Sequence, residues 1–213
     1  MWALRLMDRV EMNRNQLELL KLFKEWIYNL DVVVLDTETT GLDDQAEVIE
    51  VSVMDMRGNV LFDQLVRPLN PVPADASEIH GVTNEKLADK PNFPDVYHSL
   101  KRVISGKTVV AYNANFDNRL LMQTCSAYGL PMIEADWRCA MMAYARYWGE
   151  VDAKRGGYRR QSLAKAAAQM GITVNGAHRA VADCFTTVEV IRTAFSKLLI
   201  ADLMMADLSP TAG

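Results

Sequence analysis

The sequence predicts an α/β domain: a mixed five-stranded sheet, three antiparallel strands followed by parallel ones, with helices on both faces. Three observations carry this. The first half of the chain holds three strand-like runs in succession, the second half alternates short buried runs with amphipathic segments, and the linkers are short. With 213 residues, half of them hydrophobic and 23% charged, the chain is long enough to bury one good core.

Each element follows in order. Residues 13–30, NRNQLELLKLFKEWIYNL, place Leu17, Leu20, Phe23, Trp26, Ile27 and Leu30 at spacings of three and four, which predicts an amphipathic helix packed on the domain that follows. Strand-like runs at 31–37, 46–56 and 59–68, with Arg57-Gly58-Asn59 as a turn, predict an antiparallel meander. The three prolines of PLNPVPADAS, 68–77, predict loop, and TNEKLADK and DVYHSLKRVI predict helices around Pro91 and Pro94. KTVVAYN, 107–113, reads as a short buried strand running into a helix that closes at Gly129-Leu130-Pro131. A weak strand near 133–137, helices near 139–148 and 161–170, and a long helix over 179–206 complete the chain. The expected division is an N-terminal helical extension over 1–30, one domain over 31–206 and a tail over 207–213.

Composition excludes several classes. A formal charge of −4 argues against a broad basic surface for nucleic acid, though it leaves room for a local site. Cys125, Cys139 and Cys184 are odd in number and lack CxxC spacing, so they read as reduced core thiols of a cytoplasmic protein. The start MWALRLMDRVEM lacks an apolar h-region with a cleavage site, and no apolar run approaches the roughly 20 residues that cross a bilayer, so no membrane partner is expected. The apolar stretch LLIADLMMADL either packs on the N-terminal helix or serves self-association or a protein partner.

The stretch VVVLDTETTGL, 32–42, begins as a buried strand and then carries Asp36 and Glu38. Residues two apart on a strand share a face, so the two carboxylates form a pair at the strand's C-terminal end. Such a pair repels itself unless a cation or a shared proton relieves it, and an all-oxygen ligand set suits Mg²⁺ or Mn²⁺ better than Zn²⁺. A further acid, Asp117 in VVAYNANFDNRLL, lies just past a second buried strand near a helix start. A helix entrance favours Asp for capping in any case, but Asn113 and Asn115 already offer capping groups there. In GAHRAVADCF, His178 precedes Asp183 by five residues at the start of the last helix. By itself that pair is weak, because a lone histidine is more often structural.

Taken in order, D-x-E on the first strand, N-x-x-F-D after a central strand and H-x₄-D opening the last helix resemble the DEDD exonuclease superfamily, in the histidine-bearing branch that includes polymerase proofreading subunits and ribonuclease T. The resemblance covers about residues 31–195 and extends to EIHGVTNEKLADKPNF and YRRQSLAKAAAQMGI. It implies a ribonuclease-H-like fold and two-metal 3′→5′ exonuclease activity on single-stranded DNA or RNA 3′ ends, with a polymerase as one class of partner. It also implies that Asp36 bridges two ions of Mg²⁺ or Mn²⁺, Glu38 and Asp183 complete the site of the attacking water, Asp117 serves the second ion through water, and His178 is the general base. Thr39, Thr40, Gly41 and Leu42 would grip the terminal nucleotide, and His80 resembles a substrate-contacting loop histidine. A turn after a strand and an ordinary loop residue are the alternative readings of those positions. Two features fall outside the resemblance: the N-terminal extension, and the basic loop GEVDAKRGGYRR with Lys154, Arg155, Tyr158, Arg159 and Arg160, which either holds phosphates and a base or is merely solvated.

Two other function classes compete. A haloacid-dehalogenase-like phosphatase would place a second Asp where Glu38 stands. A catalytically silent nucleic-acid-binding or partner-binding module of the same fold would be expected to lack one or more of the five motif residues. All five are present, which favours an enzyme; DNA end trimming, proofreading and RNA 3′-end processing stay open at this level, with DNA favoured.

Overall fold

A computed structural model describes residues 13–207, with side chains through Met204. The first twelve residues of the expected extension and nearly all of the expected tail lie outside the described residues. The elements run α1 (Arg14–Tyr28), β1 (Val32–Thr39), β2 (Val48–Asp55), β3 (Val60–Leu65), α2 (Ala74–His80), α3 (Asn84–Leu87), α4 (Phe93–Ile104), β4 (Thr108–Ala111), α5 (Ala114–Ala127), β5 (Asp136–Cys139), α6 (Ala140–Trp148), α7 (Leu163–Met170) and α8 (Ala180–Asp207). The five strands form one sheet in the order β3-β2-β1-β4-β5. Strand β1 pairs antiparallel with β2 and parallel with β4, so the expected mixed sheet is present with β1 at its centre.

Alternation along β1 builds two cores. Val33 and Leu35 face α4 and α5, where Phe93, Tyr97, Leu100, Ile104 and Leu120 are buried. Val32 and Val34 face the layer of α1, α6, α7 and α8, where Leu19, Phe23, Trp26, Tyr144, Val188 and Ile191 are buried. Helix α1 is therefore part of the main core. Its N-terminus is closed by a reciprocal Asn13–Gln16 capping box.

Three local readings are corrected. The segment 68–77 is not all loop, because α2 begins at Ala74 directly after Pro73, whose fixed φ and missing N–H suit the residue before a helix. The last strand lies at Asp136–Cys139 rather than 133–137, since its register with β4 starts at Thr108 opposite Asp136. Asn113 precedes α5 but its side chain caps nothing; its backbone carbonyl accepts from Phe116 instead. The other boundaries match closely, including the stop of α5, where Gly129 takes a left-handed conformation and the Leu130 N–H reaches the Cys125 carbonyl.

The three cysteines are unpaired, and no described helix is long and apolar enough to cross a membrane. The apolar C-terminal stretch divides: Leu198 is buried against the core, whereas Ile200, Leu203 and Met204 are exposed.

Candidate active site

Everything of chemical interest gathers at the C-terminal end of β1. Asp36 and Glu38 continue the face of Val32 and Val34, which points toward α8, and the start of α8 brings Asp183 to them. One carboxylate oxygen from each of Asp36, Glu38 and Asp183 lies within 4.8 Å of the others. Asp117 arrives from beside the neighbouring strand, because β4 runs parallel to β1 and α5 follows it after only Tyr112 and Asn113. It is not one of that close trio. Its carboxylate accepts a hydrogen bond of 2.8 Å from the Thr37 hydroxyl, so a residue between the two strand acids fixes its rotamer.

Packing four acids into a half-dry pocket has an electrostatic consequence. Burial, then Asp117, Asp183, Glu38 and Glu50, push the Asp36 carboxyl well above the usual carboxylate range. Burial, then Asp183, Glu50 and Asp117, raise Glu38 to about 8, with Arg179 opposing, and burial raises Asp117 to about 7 against the Thr37 hydrogen bond. Asp183 is raised by burial and held back by His178 beside it. Without a cation, the cluster holds protons that isolated carboxyls would release. Three converging carboxylates with only oxygen donors fit a hard divalent cation.

His178 sits at the rim, exposed, with a φ of +61° that is unusual for a residue with a side chain. The next residue explains how this loop is held. Arg179 makes a two-pronged ion pair with Glu50, Nη2 to Oε1 at 2.8 Å and Nε to Oε2 at 3.0 Å, and the Ala180 N–H at the start of α8 donates to the same carboxylate. Glu50 is almost fully buried on β2, directly opposite Glu38. Sequence reasoning missed both Glu50 and Arg179. The available signal was Glu50, the one acid inside the apolar stretch VIEVSVM, 48–54.

Beside the acids runs a groove of about 500 Å³ between the 37–43 segment, α2 and Phe116. His80 lines it and is 6% exposed. Its Nδ1 accepts from the Val82 N–H at 3.1 Å, which leaves the proton on Nε2, and that buried atom has no hydrogen-bond partner. The hydroxyls of Thr39 and Thr40, by contrast, are engaged in their own turn, with the Gly41 carbonyl and the Glu47 N–H. Arg119 and Gln123 of α5 bind the carbonyls of Leu42, Asp43 and Ala46, and this fixed turn holds Leu42 78% exposed.

The model of the RNase_T exonuclease family matches residues 33–191, a span that contains every one of these acids and His178. The chain belongs to this exonuclease family. An uncharacterized exonuclease, CP81, of Escherichia phage 186 is 39% identical over 175 residues, covering 79% of this chain and 89% of that protein. The DNA polymerase III subunit epsilon of Treponema pallidum is 33% identical over 180 residues, covering 79% and 80%. Among solved structures, exonuclease X in complex with 5′ overhanging duplex DNA superimposes with a TM-score of 0.60 at 28% identity, covering 83% of this chain and 98% of that one. Family and geometry agree on an exonuclease with a ribonuclease-H-like fold.

Proposed function

We propose that the chain removes nucleoside 5′-monophosphates from the 3′ ends of nucleic acid, with single-stranded or frayed DNA ends favoured. The observation that carries the proposal is the convergence of Asp36, Glu38 and Asp183 within 4.8 Å, with Asp117 behind Asp36 and His178 at the rim. Asp36, Glu38 and Asp183 would hold one divalent cation, Mg²⁺ or Mn²⁺, and Asp36 with Asp117 a second. Bound there, such ions supply charge neutralisation for the attacking and departing oxygens of a phosphodiester.

The remaining work falls to the chain's own residues. His178, exposed beside Asp183, takes a proton from the attacking water as general base, a task suited to imidazole near neutral pH. The His80 Nε2–H donates to an oxygen of the terminal nucleotide, which satisfies the orphaned donor. Leu42, held outward by its clamped turn, packs against the terminal base, while the backbone from Thr39 to Gly41 borders the same groove. The similarity to exonuclease X, solved with duplex DNA, and to an epsilon subunit supports DNA over RNA and makes a polymerase the first protein partner to test.

Labelled single-stranded DNA, single-stranded RNA and duplex DNA with a mismatched 3′ end, each incubated with Mg²⁺ and then with EDTA, test the reading. Mononucleotide release from the 3′ end of linear DNA, absent in EDTA and absent on circular single-stranded DNA, is the expected result. Cleavage of the circle at the rate of its linear counterpart would make the enzyme an endonuclease and overturn the polarity.

A further inference from the structure

The basic segment 150–160, which the exonuclease site does not use, is a built structure. It is a short antiparallel ribbon bridged between Val151 and Tyr158, with Arg159 N–H to the Glu150 carbonyl at 2.7 Å and Asp152 N–H to the Gly157 carbonyl at 3.0 Å. The Asp152 carboxylate receives the N–H groups of Lys154 and Arg155, and Gly156 and Gly157 supply the left-handed residues that turn the tip. At the base, Glu150 pairs with Arg159 at 3.0 Å and accepts from Gln161, which is 2% exposed. The Gln161 carbonyl takes the Tyr112 hydroxyl at 2.9 Å. Tyr112 directly follows β4, the strand paired with β1, so the ribbon is anchored at the same end of the sheet as the carboxylates.

Four cations face two carboxylates in this ribbon, and both carboxylates are occupied within it. Lys154, Arg155 and Arg160 make no ion pair with any described residue and are exposed. In a chain of net charge −4, a concentration of unpaired cations on a rigid arm beside an anion-processing site is not a generic solvated face. We infer that the 150–160 ribbon is a backbone-binding arm that holds phosphates of the substrate strand several nucleotides inward from the reacting 3′ end, through Lys154, Arg155 and Arg160. The inference rests on the nuclease reading. Cations on an exposed arm contact phosphates without reading bases, so the arm contributes affinity and run length but no sequence preference.

The test compares the parent with Lys154→Ala/Arg155→Ala on a 5′-labelled 12-nucleotide single strand and on a trinucleotide too short to reach the arm, at several KCl concentrations with Mg²⁺. Arg159 is left alone because it ties the base of the ribbon. Loss of two phosphate contacts should raise KM for the long strand about 10- to 30-fold near 0.1 M salt and flatten the log–log salt slope by about 1.4, at 0.7 per phosphate. The turnover number on the long strand, and both constants on the trinucleotide, should stay unchanged, and Lys154→Arg/Arg155→Lys should behave as the parent. An unchanged KM on the long strand, or equal damage on both substrates, would overturn the inference. Should the parent degrade neither substrate, the nuclease reading falls, and fluorescence anisotropy of the labelled 12-nucleotide strand decides the arm alone: salt-sensitive binding lost in the double variant supports it, and identical binding refutes it.

Discussion

The two sides of the site are held by different means. The acids stand on regular secondary structure: Asp36 and Glu38 lie on the central strand, hydrogen-bonded on one side to β2, and Asp117 and Asp183 sit in the first turns of helices packed on that sheet. His178 has no such support. It is an exposed loop residue with a left-handed backbone, and the neighbouring tie to the sheet is the Arg179–Glu50 pair. The difference separates two kinds of preorganisation: carboxylates held by a strand and by helix starts, and a rim histidine held through the ion pair of the residue beside it.

The largest expected effect is on the acid side. Asp36→Ala should reduce turnover to background, as should EDTA on the parent, measured as mononucleotide release from labelled single-stranded DNA. Because removing one like charge from the cluster relieves repulsion, the variant should unfold at a temperature no lower than the metal-free parent. Retained activity in Asp36→Ala would erase the distinction between the two sides. On the histidine side, His178→Ala should lose about 10²–10⁴-fold in rate near neutral pH with KM little changed. That deficit should narrow as pH rises and hydroxide replaces the general base, whereas the Asp36→Ala deficit should not.

The same division decided what could be seen in the sequence. Asp36 and Glu38 were legible because two acids break an apolar run in strand phase, and the helices and strands were legible because their apolar spacings are strong. Helix α2 was hidden by its prolines, since a proline count does not say which one begins a helix. Glu50, Arg179 and the Thr37–Asp117 bond were hidden for another reason: Arg179 lies 129 residues from Glu50, and Asp117 lies 80 from Thr37. Such partners are defined only once the sheet has aligned them. Asp117 itself was placed near its site by sequence, but the supposed Asn113 cap that argued for it does not exist.

A smaller effect should come from the tie. Arg179→Ala leaves the Glu50 carboxylate buried with only the Ala180 N–H, and stripping one partner from a buried pair costs about 3–5 kcal/mol. Since the Arg179 side chain is 44% exposed, the lower end applies, a fall in Tm of about 6–12 °C for a chain of this size. In a folded sample assayed at low temperature, turnover should fall about tenfold with KM unchanged, because a loosened histidine misplaces its acceptor nitrogen. Arg179→Lys keeps the charge but not the fork, and should recover stability more than turnover. Equal recovery of both would leave the pair with a purely structural role.

The smallest effect, and the one that isolates the acid side, is the pH dependence of stability without metal. In the unfolded chain Glu38 titrates near its ordinary 4.5, and in the folded protein near 8; Asp117 moves from 3.8 to about 7, and Asp36 moves in the same direction. Between those values the folded state holds more protons than the unfolded one, so stability must fall as pH rises from about 4.5 to about 8. Each carboxyl that ionises in this window adds repulsion the unfolded chain does not feel. In EDTA, Tm should therefore drop by several degrees, about 4–8 °C, between pH 6 and pH 8. Saturating Mg²⁺ binds the ionised cluster only in the folded state, so it should raise Tm most at pH 8 and flatten the slope. Glu38→Gln removes one of the titrating groups and should shrink the slope in EDTA, while His178→Ala, on the other side of the site, should leave most of it. A parent whose Tm in EDTA is flat from pH 6 to 8 would mean that the four acids do not share one low-dielectric pocket.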